Sequence, residues 1–192
     1  MHSNKGTLRI IGGKYRSRQL RVPSRPGLRP TPDRVRETLF NWLGQDLSGL
    51  ACLDLFAGSG ALGFEAASRG AARVTMVEKD RVAFAGLERG RGALGAAQVE
   101  IVRGDAHAFI AAADARYDVV FLDPPFRQNA LPALLAGLAP RLQPGARVYV
   151  ESEAPVDAPP PWTELKRARA GQVSYQLLRW DGHDQSGVPG NV

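Results

Sequence analysis

Between residues 50 and 151 five short apolar runs recur, each separated from the next by a segment of helix length, and this alternation leaves few folds open. The runs are Leu50–Phe56, Val74–Glu78, Val99–Arg103, Tyr117–Asp123 and Arg147–Glu151. Between them lie Ala61–Arg69, closed by Gly70, a segment from Asp80 to Gly95, Asp105–Ala113, and Leu131–Leu142, stopped by Pro144-Gly145. Strands that are apolar almost throughout must be covered on both faces, and strands joined through helices run parallel. Two more β-prone runs, Thr163–Ala168 and Val173–Trp180, meet through Ala170-Gly171-Gln172. That link is too short for a crossover, so they pair antiparallel. The expectation is an α/β fold with a mostly parallel seven-stranded sheet ending in an antiparallel hairpin. Gly86, Gly90 and Gly92 fall inside the second helix and predict that it is frayed or bent, because each costs about 1 kcal/mol relative to Ala.

Ahead of this body, Thr7–Ile11 and Gln19–Val22 form a small hairpin through Gly12-Gly13, followed by the Pro/Gly-rich stretch 23–30. Thr31-Pro32-Asp33 reads as an N-cap, a proline at the first helical position and an acid in the first turn. Val35, Leu39 and Leu43 form the buried stripe of that helix, leaving Arg34, Arg36 and Asn41 for its other faces. A length of 192 residues suits one domain, divided as a basic arm over 1–30, a body over 31–180 and a disordered tail over 181–192. No apolar run approaches the roughly 20 residues of a membrane span. The N-terminus lacks an apolar signal core. The single Cys52 excludes an internal disulfide or a Cys-based zinc cluster and is read as core. These features predict a reduced, cytoplasmic, single-domain protein, and a monomer is the expected state.

Charge is distributed unevenly. Residues 1–36 carry ten basic residues and one acid, a net +9, which leaves −3 for the rest of a chain whose net charge is +6. A basic arm on a mildly acidic body suits a polyanion, since each neutralised phosphate releases condensed counterions. The candidates for RNA contact are Arg9, Lys14, Arg16, Arg18, Arg29 and Arg36.

Two motifs carry the chemistry. Gly58, Gly60 and Gly63 satisfy G-x-G-x-x-G at the end of a strand and the opening of a helix, where backbone approaches a ligand beside the positive end of a helix dipole. Glu78 ends the next strand, where a carboxylate can accept bonds from ribose hydroxyls. This much fits either a nicotinamide cofactor or S-adenosylmethionine (SAM). Ser59 is not a hydrolase nucleophile, because its surroundings are not G-x-S-x-G. The second motif is Asp123-Pro124-Pro125-Phe126, placed after the fourth strand, where open α/β sheets bind ligands. Its prolines fix a stiff turn. Asp123 and the Pro124 carbonyl offer two acceptors for the two hydrogens of an exocyclic amino group, and Phe126 offers a stacking face worth about 1–3 kcal/mol.

Together these features resemble class I SAM-dependent methyltransferases acting on nucleobase amino groups, and more narrowly the bacterial 16S rRNA guanine-N2 methyltransferases of the RsmD type. The resemblance spans nearly the whole chain: Arg9-Ile-Ile-Gly-Gly-Lys14, Gly27-Leu-Arg-Pro-Thr31 running into Asp33–Leu43, Asp54–Gly63, Asp123–Phe126, Tyr149-Val-Glu-Ser-Glu153 and Gly171-Gln-Val-Ser-Tyr175. It implies a Rossmann-like fold, SAM as cofactor, no metal, and small-subunit rRNA as substrate, with guanine 966 as the target. Asp54, Gly58 and Gly60 would then hold the amino-acid end of SAM, Glu78 its ribose and Asp105 its adenine amino group. Phe56, Ser59, Gly63, Lys79 and Ala106 complete the expected cofactor set, and Thr31, Arg34 and Thr38 form the helix entry beside it. Asp123, Pro124, Pro125 and Phe126 would hold the base. His107 and Asp114 are read as surface groups. The Asp-Pro-Pro-Phe box is shared with adenine-N6 enzymes, so it does not name the base. A DNA or RNA adenine-N6 methyltransferase, a nicotinamide-dependent dehydrogenase and a non-catalytic RNA-binding or assembly protein remain the alternatives.

Overall fold

The computed structural model describes residues 6–23, 31–125 and 131–182. The expected alternation is realised. Strands β1 (Thr7–Arg9) and β2 (Gln19–Arg21) pair antiparallel as a separate hairpin, and helix α1 (Asp33–Leu43) follows. The body then runs β3 (Ala51–Asp54), α2 (Ala61–Ser68), β4 (Arg73–Glu78), α3 (Arg81–Leu94), β5 (Val99–Arg103), α4 (Ala106–Ala112), β6 (Tyr117–Leu122), α5 (Leu131–Leu138), β7 (Leu142–Ser152), β8 (Trp162–Ala170) and β9 (Val173–Trp180). The seven-stranded sheet has the order β5-β4-β3-β6-β7-β9-β8. Its first five members are parallel, and β9 pairs antiparallel with both β7 and β8. All carboxyl ends of the parallel strands therefore lie along one edge.

The two sheet faces carry separate cores. Leu53, Val120, Leu122, Val148 and Val150 pack with Ile110 of α4 and Leu134, Leu135 and Leu138 of α5. On the other face Cys52, Val119, Phe121 and Tyr149 pack with Leu39 and Phe40 of α1, Phe64 of α2 and Leu87 of α3. Leu8, Ile10, Tyr15 and Leu20 of the N-terminal hairpin belong to this same core.

A buried ionic knot fixes the hairpin to the body. Glu65 of α2 is wholly buried, and its carboxylate accepts the backbone N–H groups of Ile11 and Gly12 at 2.9 and 2.8 Å. It is also paired with Arg36 at 3.3 Å and Arg69 at 2.9 Å. Gly13, at φ +71°, sits so close to α2 that a Cβ there would lie 1.9 Å from the Ser68 carbonyl oxygen.

The structure corrects several expectations. Helix α1 begins at Asp33 with Pro32 in the capping position, and Thr31 makes no capping bond. Its carbonyl instead accepts from Arg36 Nε. Arg36 does not face solvent or RNA. It is 1 % exposed, and Thr31, Arg9, Glu65 and Asp33 hold its guanidinium. The fifth helix stops at Leu138, a 3-10 turn covers Ala139–Arg141, and β7 already begins at Leu142. Pro144-Gly145 lies within that strand, where the register against β6 shifts and Gly145 takes φ +76°. Helix α3 is unbroken. Its N-cap is Asp80, whose side chain accepts from the Val82 and Ala83 N–H groups, and its glycines permit close packing. A Cβ on Gly86 would lie 2.8 Å from Pro23, and one on Gly90 would lie 3.0 Å from the Phe64 ring. Gly92 faces open space. Gly92→Ala is therefore expected to raise stability by about 1 kcal/mol through helix propensity, while Gly86→Ala lowers it because Pro23 must move. Urea unfolding of the two variants checks both signs. Arg29, Phe126 and the 183–192 tail lie outside the described residues.

Candidate active site

The carboxyl edge of the parallel sheet gathers the two motifs. Asp54 closes β3 and is directly registered with Phe121 of β6, two residues before Asp123. The Leu55 N–H donates to the Phe121 carbonyl at 3.2 Å, so the Gly58–Gly60 turn and the Asp123-Pro124-Pro125 turn leave from neighbouring strands. Gly58 and Gly60 have φ +52° and +83°, a left-handed backbone that only glycine adopts without cost. A Cβ on Gly60 would also strike Phe64 and Leu87.

Glu78, at the end of β4, ties the loops together. It accepts the Gly58 N–H at 2.8 Å on one oxygen and the Asp80 N–H at 2.7 Å on the other. Asp54, 2 % exposed, accepts the Gly63 N–H at 3.1 Å. Asp105 spends one oxygen as N-cap of α4, accepting from His107 and Ala108. Ala106 is buried behind it, while Lys79 is exposed, and Phe56 and Ser59 are half-buried in the first turn. Arg34 is exposed on α1, and its carbonyl accepts the Thr38 hydroxyl at 2.9 Å. Cys52 is buried in β3, its thiol pushed up to about 12 by desolvation.

The electrostatics of this edge go beyond what the two motifs predict. The register Phe121↔Tyr149 and Leu122↔Val150 brings Glu151 beside Asp123. Phe121 and Tyr149 both belong to the core that packs with α1, so Asp123 and Glu151, two residues further along alternating strands, share that face. Cys52 places Asp54 there too. Burial pushes the Asp54 carboxyl up to about 7, against the pull of the Gly63 and Phe56 N–H groups. Burial raises Asp123 well above the usual carboxylate range, and the neighbouring Glu151 and Asp54 raise it further. Glu151 is raised by burial although the Tyr149 hydroxyl donates to its Oε1 at 2.8 Å. The signal for Glu151 is an acid directly after the apolar run Val148-Tyr149-Val150; the signal for Glu65 is an acid in the mostly apolar helix Ala61–Ser68.

This arrangement makes stability depend on pH. Between about 4 and 7 the folded state holds a proton on Asp54 that the unfolded chain has released, so stability falls as pH rises through that window. The stability lost across this window is at most roughly 4 kcal/mol. Urea midpoints should drop between pH 5 and pH 8, and Asp54→Asn should flatten that dependence.

Comparison with known proteins places this geometry. The family model described as "Conserved hypothetical protein 95" matches residues 8–179. Ribosomal RNA small subunit methyltransferase D of Escherichia coli K12 is 44 % identical over 190 residues, covering 96 % of both chains. The chain belongs to this methyltransferase family. Another member, from Haemophilus influenzae, is 44 % identical over 183 residues, covering 91 % of this chain and 95 % of its own. The solved structure of yhhF, a candidate methyltransferase of Escherichia coli, superposes with a TM-score of 0.85 at 44 % identity, covering 93 % of this chain and 100 % of that one. The family's class I fold, with its seven-stranded sheet, is thus the fold of this chain. In this member the two motif turns and three acidic side chains meet at one end of that sheet. No helix among the described residues is long and apolar enough to cross a membrane.

Proposed function

We propose that this chain transfers a methyl group from SAM to the exocyclic N2 of a guanine in small-subunit rRNA, in the cytoplasm, with guanine 966 as the target that family membership suggests. The observation that carries the reading is the trio Asp54, Asp123 and Glu151, desolvated on one sheet face beside the glycine turn. Desolvated carboxyls favour a cationic ligand and repel an anionic one. SAM carries a sulfonium and an ammonium, whereas a nicotinamide dinucleotide carries an anionic pyrophosphate. The donor set therefore fits SAM. Asp54 and the Gly58–Gly60 backbone would hold its amino-acid end, Glu78 its ribose hydroxyls, and Asp105 its adenine amino group through the oxygen that does not cap α4. When bound, SAM supplies a methyl carbon activated by the positive sulfur.

The rest of the chemistry belongs to the protein. The guanine amino nitrogen is a weak nucleophile because its lone pair is delocalised into the ring. Asp123 and the Pro124 carbonyl accept its two hydrogens, which favours a pyramidal nitrogen with its lone pair directed at the methyl carbon. Fixing that approach can supply several kcal/mol of barrier reduction. As the nitrogen is alkylated, its surplus proton passes to the Asp123 carboxylate, which the positive charge of bound SAM would hold ionised beforehand. The base must leave its stack to enter, and Phe126 would offset part of that cost.

Lys14, Arg16 and Arg18 are exposed on the hairpin, which is held rigidly against α2, and Arg18 also donates to the Ala93 carbonyl. A fixed array of cations is suited to a folded RNA surface. Titration with SAM and with NAD tests the cofactor: SAM binding without NAD binding supports the proposal, and the reverse contradicts it. Reversing the charge of Arg16 and Arg18 should weaken RNA binding and reduce the salt slope by about 2, near 0.9 for each phosphate that is no longer neutralised. An unchanged slope would remove the hairpin from the interface.

A further inference from the structure

We propose that Glu151 is the residue that distinguishes guanine from other purines, by accepting the N1–H of the target base while Asp123 and Pro124 hold its N2 amino group. This assignment rests on the function proposed above. Glu151 sits next to Asp123 across the β6–β7 pair, at the strand ends where the base must enter. It is 6 % exposed, and isolated buried carboxyls are avoided unless something uses them. Its Oε1 receives the Tyr149 hydroxyl, and among the described residues no donor is bound to Oε2. Tyr149 is itself braced: its ring lies 6.3 Å from that of Tyr175, which stacks on Trp42 at 5.3 Å. One oxygen is thus anchored through a packed aromatic column, while the other is left with acceptor capacity.

The chemistry of the base completes the argument. Guanine presents N1–H and N2–H side by side as two donors, and two neighbouring carboxylates present the matching acceptors. Adenine and 2-aminopurine carry a lone pair at N1, which would face the Glu151 oxygen as acceptor against acceptor. Asp-Pro-Pro-Phe alone reads only an amino group. A second acid two positions beyond Tyr149 reads the ring nitrogen next to it.

The test uses small subunits reconstituted with 16S rRNA carrying either guanine or 2-aminopurine at the target position. Both bases hold the 2-amino group, and only guanine has the N1 hydrogen. The wild-type protein is expected to favour guanine in kcat/KM by about 10²-fold or more, since a site built for a donor rejects the analogue that lacks it. In Glu151→Gln the amide can turn its NH2 toward N1. The preference should then fall at least tenfold, about 1.4 kcal/mol, in a protein that still binds SAM. An unchanged preference in a variant that binds SAM and remains active overturns the assignment. If Glu151→Gln does not fold, Tyr149→Phe decides. With the anchor on Oε1 gone, Glu151 holds N1–H less firmly and the preference for guanine over 2-aminopurine should fall several-fold, while an unchanged preference in an active variant overturns the assignment. Failure of the wild-type protein to methylate guanine would instead overturn the functional reading, and this proposal with it.

Discussion

Asp123→Ala is expected to lose methyl transfer by a factor of roughly 10²–10³ or more while still binding SAM. Preorganised polar groups aimed at charge that develops during reaction account for losses of about this size when deleted singly. Here the same side chain also takes the departing proton. The residue leaves β6 on the turn opposite the glycine loop, so the backbone groups expected to hold the cofactor stay in place. Removing Asp123 also removes a buried carboxyl whose ionisation works against the fold, which should stabilise the unliganded protein near pH 8. Calorimetric titration with SAM, read beside single-turnover rates, separates the two effects. Turnover close to wild type would contradict the role given to Asp123. Loss of SAM binding with turnover would assign it to the cofactor rather than the base.

Glu65→Ala is expected to cost about 3–5 kcal/mol, a large fraction of the 5–15 kcal/mol that holds a domain of this kind together. The loss arises from what remains. Arg36 and Arg69 keep their positive charges in the interior, and the Ile11 and Gly12 N–H groups lose their acceptor. Asp33 pairs with both Arg9 and Arg36, so part of the Arg36 charge stays compensated and the hairpin should loosen before the sheet does. Urea unfolding gives the total. Amide exchange at Leu8, Ile10 and Tyr15 gives the local part, and protection equal to wild type at those amides would show that the knot does not hold the hairpin.

The order of strands and helices was readable because buried parallel strands and helix ends have local signals: apolar runs, Asp80 and Asp105 as caps, Gly70 and Gly95 as stops. The glycine turn and the Asp123-Pro124-Pro125 turn were readable for the same reason, since each needs unusual backbone. Long-range effects were not. Arg36 looks like one more exposed cation of a basic segment until Glu65, 29 residues away, is folded against it. Gly86 and Gly90 look like helix breakers until Pro23 and Phe64 occupy the space their side chains would have filled. Glu151 acquires meaning only when β7 is laid beside β6, because its partner Asp123 lies across a helix in sequence. In each case the pairing, not the residue, carries the information.

The most direct test of the account is chemical identification of the product. Small subunits from cells lacking the modification are incubated with labelled SAM and this protein, and the rRNA is digested to nucleosides and also mapped by fragment. The account predicts label in N2-methylguanosine at a single guanine. Label in N6-methyladenosine, or on duplex DNA in preference to the subunit, would contradict it.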